Sequence, residues 1–325
     1  MTAAWQPSAG PAALLARAAL LAEVRGFFAE AGVLEVETPL CATASGTDPA
    51  LEPLTTCYTG PGHATGLPLF LQTSPEFAMK RLLAAGSGPI YQICKAFRDG
   101  ESGSRHNPEF TLLEWYRPGF DHHRLMDEVS ALVRCCLGQS DLQEERLSYR
   151  ELFSRHLDLD PLEASSEDLR AVAVSRVPGA AGLRLPGRDA WLDLLLTAVI
   201  EPRLGVDRLC FVHDYPASQA ALARLDPSDP RVAARFELYH QGVELANGFH
   251  ELTDAAEQRA RFTADNVLRV AQGRRELPVD EHLLAALVHG LPDCSGVALG
   301  LDRLLMLRMG EADLAAVLAF PLDRV

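Results

Sequence analysis

The chain has 325 residues, 48% hydrophobic and 23% charged, the balance of an ordinary folded globular protein and not of a disordered one. Its formal charge of −14 argues against wrapping nucleic acid over a broad surface, because phosphate contacts need a field of Lys and Arg. No apolar run is long enough to span a membrane. The seven cysteines, Cys41, Cys57, Cys94, Cys135, Cys136, Cys210 and Cys294, are odd in number and lack C-x-x-C spacing, so reduced cytosolic thiols are expected. The N-terminal stretch has no basic region ahead of its apolar run, which Arg17, Glu23, Arg25 and Glu30 interrupt. It reads as an amphipathic helix ending near Gly32, and not as a signal peptide.

Next, "GVLEVETPL" is strand-like and closes on Pro39, and "LPLFLQTSPEFAMKRLLAAG" reads as a strand, a turn and a helix from near Pro75 to near Gly86. The runs "PIYQICKAFR" and "FTLLEWY" flank the polar loop "DGESGSRHNP" as a long hairpin, and "HHRLMDEVSALVRCCLG" predicts a helix. Residues 139–210 read as connecting or insertion structure with mixed helices and no chemistry of their own. The last third returns to strands in "CFVHDYP", "ARFELYHQG", "VELANGFHEL" and "GVALGLD", and a final helix begins near Arg303. Strands joined mostly by hairpins predict an α+β fold, an antiparallel sheet flanked by helices. A doubly wound nucleotide fold is excluded, since no G-x-x-x-x-G-K-[ST] is present.

Strand alternation puts Phe110, Leu112, Glu114 and Tyr116 on one face, a ring, a carboxylate and a phenol in a row. In "FELYHQGVELANGFHEL", a turn centred on His240 and Gln241 would set Glu237 directly opposite Glu244. Facing carboxylates destabilise a sheet unless a cation lies between them, and all-oxygen ligands suit Mg²⁺; the alternative is that both acids point to water. Asn247-Gly248 permits a bend that brings Glu251 toward Phe249, an ammonium-binding arrangement, the alternative being a helix-start carboxylate. Glu76 has the same ambiguity. Arg98 and Arg303 could each fork onto phosphate oxygens or be surface salt-bridge residues.

The set as a whole resembles class II aminoacyl-tRNA synthetases over most of the chain. "GVLEVETPL", "FRDGESGSRHNPEFTLLEWY" and "GVALGLDRLLML" are similar to the three class motifs, and "SPEFAMKRL", "RHNPEFTLLEWY" and "ELANGFHELTD" to the lysine branch. The resemblance implies a single catalytic domain over 1–325 and a homodimer built through the first motif. It implies ATP bound by Arg98, Glu101, His106, Asn107, Phe110, Glu244, Leu245, Gly300 and Arg303, with Arg98 and Arg303 catalytic. Phe110 would stack on adenine and His106 would lie toward the distal phosphates. Mg²⁺ would sit on Glu237 and Glu244. Ser74, Glu76, Glu114, Tyr116, Asn247, Glu251 and Ala298 would surround a lysine-like substrate.

Two departures refine this expectation. Gly100 stands where the second motif usually has a Glu that partners the adenine amino group, and Glu101 follows it; losing one such contact costs roughly 1 to 3 kcal/mol. The anticodon-binding barrel that precedes the first motif in lysyl-tRNA synthetases is expected to be missing. The chain therefore resembles the truncated lysine-type paralogues that join (R)-β-lysine to a lysine of elongation factor P, a cytoplasmic activity with no membrane and no tRNA. Ala298 stands where the tRNA-charging enzymes usually carry Gly, and its methyl group would narrow the amino-acid pocket. The alternatives are a minimal lysyl-tRNA synthetase and a non-catalytic regulator.

Overall fold

The computed structural model describes residues 5–325, so the first four residues of the expected N-terminal segment lie outside it. The chain divides into two compact units. The first takes the chain up to Gly119, Cys135–Gly138 and Leu252–Val325; the second takes Phe120–Arg134 and Gln139–Glu251. Among the described residues, no helix is long and apolar enough to cross a membrane.

Helix α1, Pro11–Glu30, opens on a proline, whose missing N–H costs nothing in the first turn. Its buried Phe28 stacks on Tyr91 at 4.4 Å and meets Trp115 edge-on at 5.4 Å. Short strands β1 (Leu34–Glu35) and β2 (Cys41–Ala42) follow, then β3 (Thr55–Tyr58) and β4 (Leu67–Leu71). The strand expected over "GVLEVETPL" thus shrinks to two residues, as the Thr38 hydroxyl turns to Gln92 and Pro39 has no N–H to give. Helix α2 is Glu76–Ala84, and β5 (Ile90–Phe97) and β6 (Glu109–Pro118) form the expected hairpin.

The second unit contains most of α3, His122–Leu137, then β7 (Glu144–Ser148), α4 (Tyr149–Leu157), α5 (Ser166–Arg176) and α6 (Gly187–Leu195). Capping boxes start two of these helices, Ser148 with Glu151 on α4 and Ser165 with Asp168 on α5. Strands β8 (Leu209–Pro216), β9 (Val232–His240) and β10 (Val243–His250) complete the unit. The segment read as connecting structure is more than that. It supplies β7, paired parallel to β8, and a core of Leu147, Phe153, Trp191, Leu192 and Leu195 packed against Val212, Tyr215 and Tyr239.

The chain then returns to the first unit with α7 (Ala255–Ala271), α8 (Glu281–Gly290), β11 (Cys294–Gly300) and α9 (Leu301–Arg308). Sheet order in the first unit is β1-β5-β6-β11, with β2-β4-β3 as a separate small sheet; in the second it is β10-β9-β8-β7. Among the described residues, strands within each unit pair antiparallel except β1 with β5 and β7 with β8. The antiparallel sheet flanked by helices is the architecture expected from the sequence.

Candidate active site

In the first unit, alternation along β6 sends Phe110, Leu112, Glu114 and Tyr116 to one face. The register with β11 sets Gly300 opposite Leu112, Ala298 opposite Glu114 and Gly296 opposite Tyr116. Only small residues flank the polar row on that side. Glu114 is 2% exposed and its two oxygens are separately engaged, Oε2 by the Ser74 hydroxyl at 2.6 Å and Oε1 by the Tyr116 hydroxyl at 2.7 Å. Ser74 Oγ also accepts from the Glu76 N–H at 3.1 Å, so the start of α2 is tied to the same carboxylate. The Glu76 side chain takes the Nζ of buried Lys80 at 2.5 Å. Ser74, Glu76, Glu114, Tyr116 and Ala298 therefore belong to one neighbourhood. The field there is negative: burial, then the Glu114 charge, pushes the Cys94 thiol up to about 12.

The far end of the same sheet carries cations. Arg98 closes the polar loop with its N–H on the Pro108 carbonyl at 2.9 Å, and its guanidinium lies 5.0 Å over the Phe110 ring. Its Nε is buried without a hydrogen bond. Gly100 has φ 80°, a left-handed conformation natural to glycine, and Glu101 stands 3.7 Å from the Arg98 guanidinium. Gly300 precedes α9, and Arg303 in its first turn donates through Nη2 to His106 Nε2 at 2.7 Å and through Nε to the Arg105 carbonyl at 3.2 Å. Burial, then the Arg303 charge, holds His106 below its ordinary value, so a neutral ring with its proton on Nδ1 can accept that bond. Asn107 is engaged within the loop and at the chain end: Nδ2 donates to the Glu109 carbonyl at 2.6 Å, and Oδ1 accepts from Leu322 N–H at 3.0 Å.

In the second unit the hairpin differs from expectation. Its turn is Gln241-Gly242, both with positive φ (52° and 66°), and His240 pairs with Val243. Glu244 therefore lies opposite Tyr239, and Glu237 opposite Asn247. The two acids do not face each other directly. The turn position accounts for this, and a bulge at Leu245, between the Glu244 and Ala246 pairings, does something else. Residues three apart normally point to opposite faces; the extra residue turns both Glu244 and Asn247 to the Glu237 side. Leu245 itself is buried.

A cation already stands on this face, from the protein itself. Arg235 Nη2 donates to Glu237 Oε1 at 2.5 Å, its Nε to Asn247 Oδ1 at 3.3 Å and its Nη1 to the Gln219 carbonyl at 2.7 Å. Glu237 Oε2 accepts from the hydroxyls of Tyr215 at 2.6 Å and Tyr239 at 2.5 Å. Burial, then the Glu237 charge, raises both phenols well above their ordinary value and keeps them donors. Oε2 is thus filled while Oε1 holds one donor, which leaves room for a monodentate metal contact. Among the described residues, no group of three or more His, Cys, Asp or Glu could hold a metal ion. Two carboxylates fit only an ion that takes its other ligands from phosphate and water, as Mg²⁺ does. Glu251 is fully buried, and its carbonyl accepts from Arg224 Nε at 3.1 Å. It is not the helix-start acid; Asp254 caps α7, accepting from the Ala256 and Glu257 N–H groups.

Sequence reasoning missed Arg235, Tyr215 and Tyr239. Arg235 and Tyr239 were readable, since they alternate with Glu237; Tyr215 was not, because a bulge sets its face.

A family model described as class II tRNA synthetases (D, K and N) matches residues 8–324. The chain is 54% identical over 323 residues to the elongation factor P–(R)-beta-lysine ligase of Klebsiella pneumoniae (strain 342), covering 99% of each chain. It is 55% identical over 322 residues to the protein of the same name from Edwardsiella ictaluri (strain 93-146), covering 99% of this chain and 98% of the relative. The Salmonella dublin protein of that name is 53% identical over 324 residues, 99% of each chain.

Proposed function

The chain belongs to the class II tRNA synthetases of the D, K and N group, and we propose that it activates (R)-β-lysine with ATP and transfers it to a lysine of elongation factor P. The observation that carries this reading is likeness along the whole length to ligases of that name, at 54% and 55% identity.

Local geometry within each unit supports it at several of the assigned residues. Glu114, oriented by Ser74 and Tyr116, is suited to an ammonium group, and Glu76, Asn247 and Glu251 are assigned to the same substrate. Arg98 and Arg303 would stabilise charge on the α-phosphate, with Phe110 against the adenine ring and Glu101, His106, Asn107, Leu245 and Gly300 around the nucleotide. Glu237 and Glu244 would hold Mg²⁺, which neutralises phosphate charge when bound.

In the first step a carboxylate oxygen of β-lysine attacks the α-phosphorus, the bond to the bridging oxygen breaks and pyrophosphate leaves. In the second, the ε-amine nitrogen of the acceptor lysine attacks the acyl carbon; an amide forms and AMP leaves. That amine, with an ordinary pKa of ~10.4, must shed a proton to react. The reading also places the enzyme in the cytosol as a homodimer forming one catalytic domain per chain, with the described cysteines as free thiols.

Intact-mass measurement of elongation factor P, after incubation with the protein, ATP, Mg²⁺ and (R)-β-lysine, tests it. A gain of one lysyl residue without charging of tRNA is expected. Charged tRNA beside unmodified elongation factor P would make this a small tRNA synthetase instead, and neither product would leave a non-catalytic relative.

A further inference from the structure

Tyr215 reaches Glu237 by an irregular route. Along β8, His213 pairs with Phe236, but Tyr215 pairs with Ala233, so the single residue between them, Asp214, stands against two on β9, Ala234 and Arg235, and the register slips. Strict alternation from Val212, which lies opposite Glu237, would send Tyr215 to the other face of the sheet. The bulge turns it back, to where its hydroxyl meets Glu237 Oε2 at 2.6 Å and its ring lies 4.4 Å beneath the Arg235 guanidinium.

Asp214 sits at this irregularity in a left-handed conformation, φ 56°, which a side chain with a Cβ disfavours. Something must hold it there. His213 Nδ1 lies 2.9 Å from Asp214 Oδ2, and His122 Nε2, from the first turn of α3, lies 3.8 Å from Oδ1. His122 is 6% exposed, and His123 packs on it with ring centres 4.1 Å apart. His123 in turn meets the His213 ring at 5.5 Å, so one imidazole backs both of those beside the acid. Burial works to raise the Asp214 carboxyl, but the His122 and His213 imidazoles beside it outweigh that and hold the group well below the usual carboxylate range.

We propose that Asp214 is a positioning residue: the His122 and His213 clamp on its carboxylate maintains the bulge that turns the Tyr215 phenol onto Glu237. Glu237 is thereby fixed with Oε2 filled and Oε1 presented. The inference rests on the assignment of Glu237 to the nucleotide's divalent ion.

Its test is Mn²⁺ affinity of the protein with ATP, read by electron paramagnetic resonance on full-length variants whose near-ultraviolet circular dichroism reports packing. Loss of the phenol in Tyr215→Phe should weaken Mn²⁺ binding about tenfold, the size of a hydrogen bond to a charged group. Asp214→Val, β-branched and unable to pair with the imidazoles, should weaken it at least as much. Asp214→Asn tolerates positive φ and can still accept from an imidazole, and should stay within about twofold of the parent. That rescue separates positioning from mere loss of packing. A folded Asp214→Val protein with parental affinity would overturn the proposal; if that variant does not fold, parental affinity in Tyr215→Phe does so. Glu237→Gln separates the two layers. If it leaves Mn²⁺ binding unchanged, the metal assignment falls and the proposal with it, whereas a weakened Glu237→Gln beside unaffected Tyr215→Phe and Asp214→Val sinks the proposal alone.

Discussion

Ala298 shows how one methyl group can act on a substrate. It lies directly opposite Glu114 on the neighbouring strand, and residues so paired share a face, with Cβ atoms about 5 Å apart. The carboxylate cannot retreat, because Ser74 and Tyr116 hold one oxygen each. Ala298→Gly should therefore enlarge the space beside Glu114 and shift preference from β-lysine toward α-lysine by about tenfold, within the range one methylene group commands. The ratio of kcat/KM for ATP–pyrophosphate exchange with the two isomers measures this, and an unchanged ratio would remove Ala298 as a specificity element. The polar row on β6 was readable because period-two alternation alone sets its face. That Ser74 closes on Glu114, 40 positions away, was not, since nothing local in the sequence measures that distance.

At the scale of elements, the hairpin of β9 and β10 was recognised from its strands, while its turn was placed one residue early. Gly242 decides the matter: the turn needs positive φ at both centre positions, and Gln241-Gly242 supplies it where His240-Gln241 would not. Neither bulge, at Leu245 or Asp214, leaves a mark in the hydrophobic pattern, yet together they select which acids, amides and phenols share the Glu237 face. The turn is also held from outside the hairpin. Gln241 N–H donates to the Gly205 carbonyl at 2.7 Å and Gly242 N–H to that of Leu204 at 2.8 Å. Gly205 has φ 61°, and a Cβ there would stand 2.6 Å from the Tyr239 carbonyl oxygen and 2.8 Å from the His240 Cα. Both neighbours are backbone and cannot swing away. Gly205→Ala should cost roughly 2 to 4 kcal/mol, read from urea denaturation, and speed amide exchange at Gln241 and Gly242. A loss below about 1 kcal/mol would mean the hairpin does not depend on this contact.

For the whole molecule, the sequence marked the order of strands better than the role of residues 139–210. The strand β7 reads "EERLS", too charged to resemble a core strand, and gains its place by pairing parallel to β8. Buried titratable groups in each unit set the acid response of the fold. Burial lowers His106, His123 and His156 below the ordinary 6.5, so each group's contribution to stability is present above that value and is lost as pH falls through it. Two carboxyls oppose this. Burial, then Asp189, raises Asp193 to about 6, and burial raises Asp265, so their contributions grow as pH falls toward 3.8. Lower still, Asp121 and Glu151, held down by backbone N–H groups, and Asp226, held down by the Ser228 hydroxyl, lose stability as they protonate. The melting temperature should thus change little between pH 7 and about 5 and fall steeply below about 4.5. Asp193→Asn removes one opposing group while its amide oxygen can still accept from Gln219 Nε2, now 2.7 Å from Asp193 Oδ1. The variant should melt above the parent at pH 7, with the gain vanishing by about pH 4, where the parent carboxyl is itself protonated. Asp193 still exposes more than a third of its surface, so water screens part of its charge and the gain is modest. Calorimetry across that range reads the sign directly: a variant less stable at pH 7, or a gain that persists at pH 4, would show that the Asp193 charge is not what opposes the histidines.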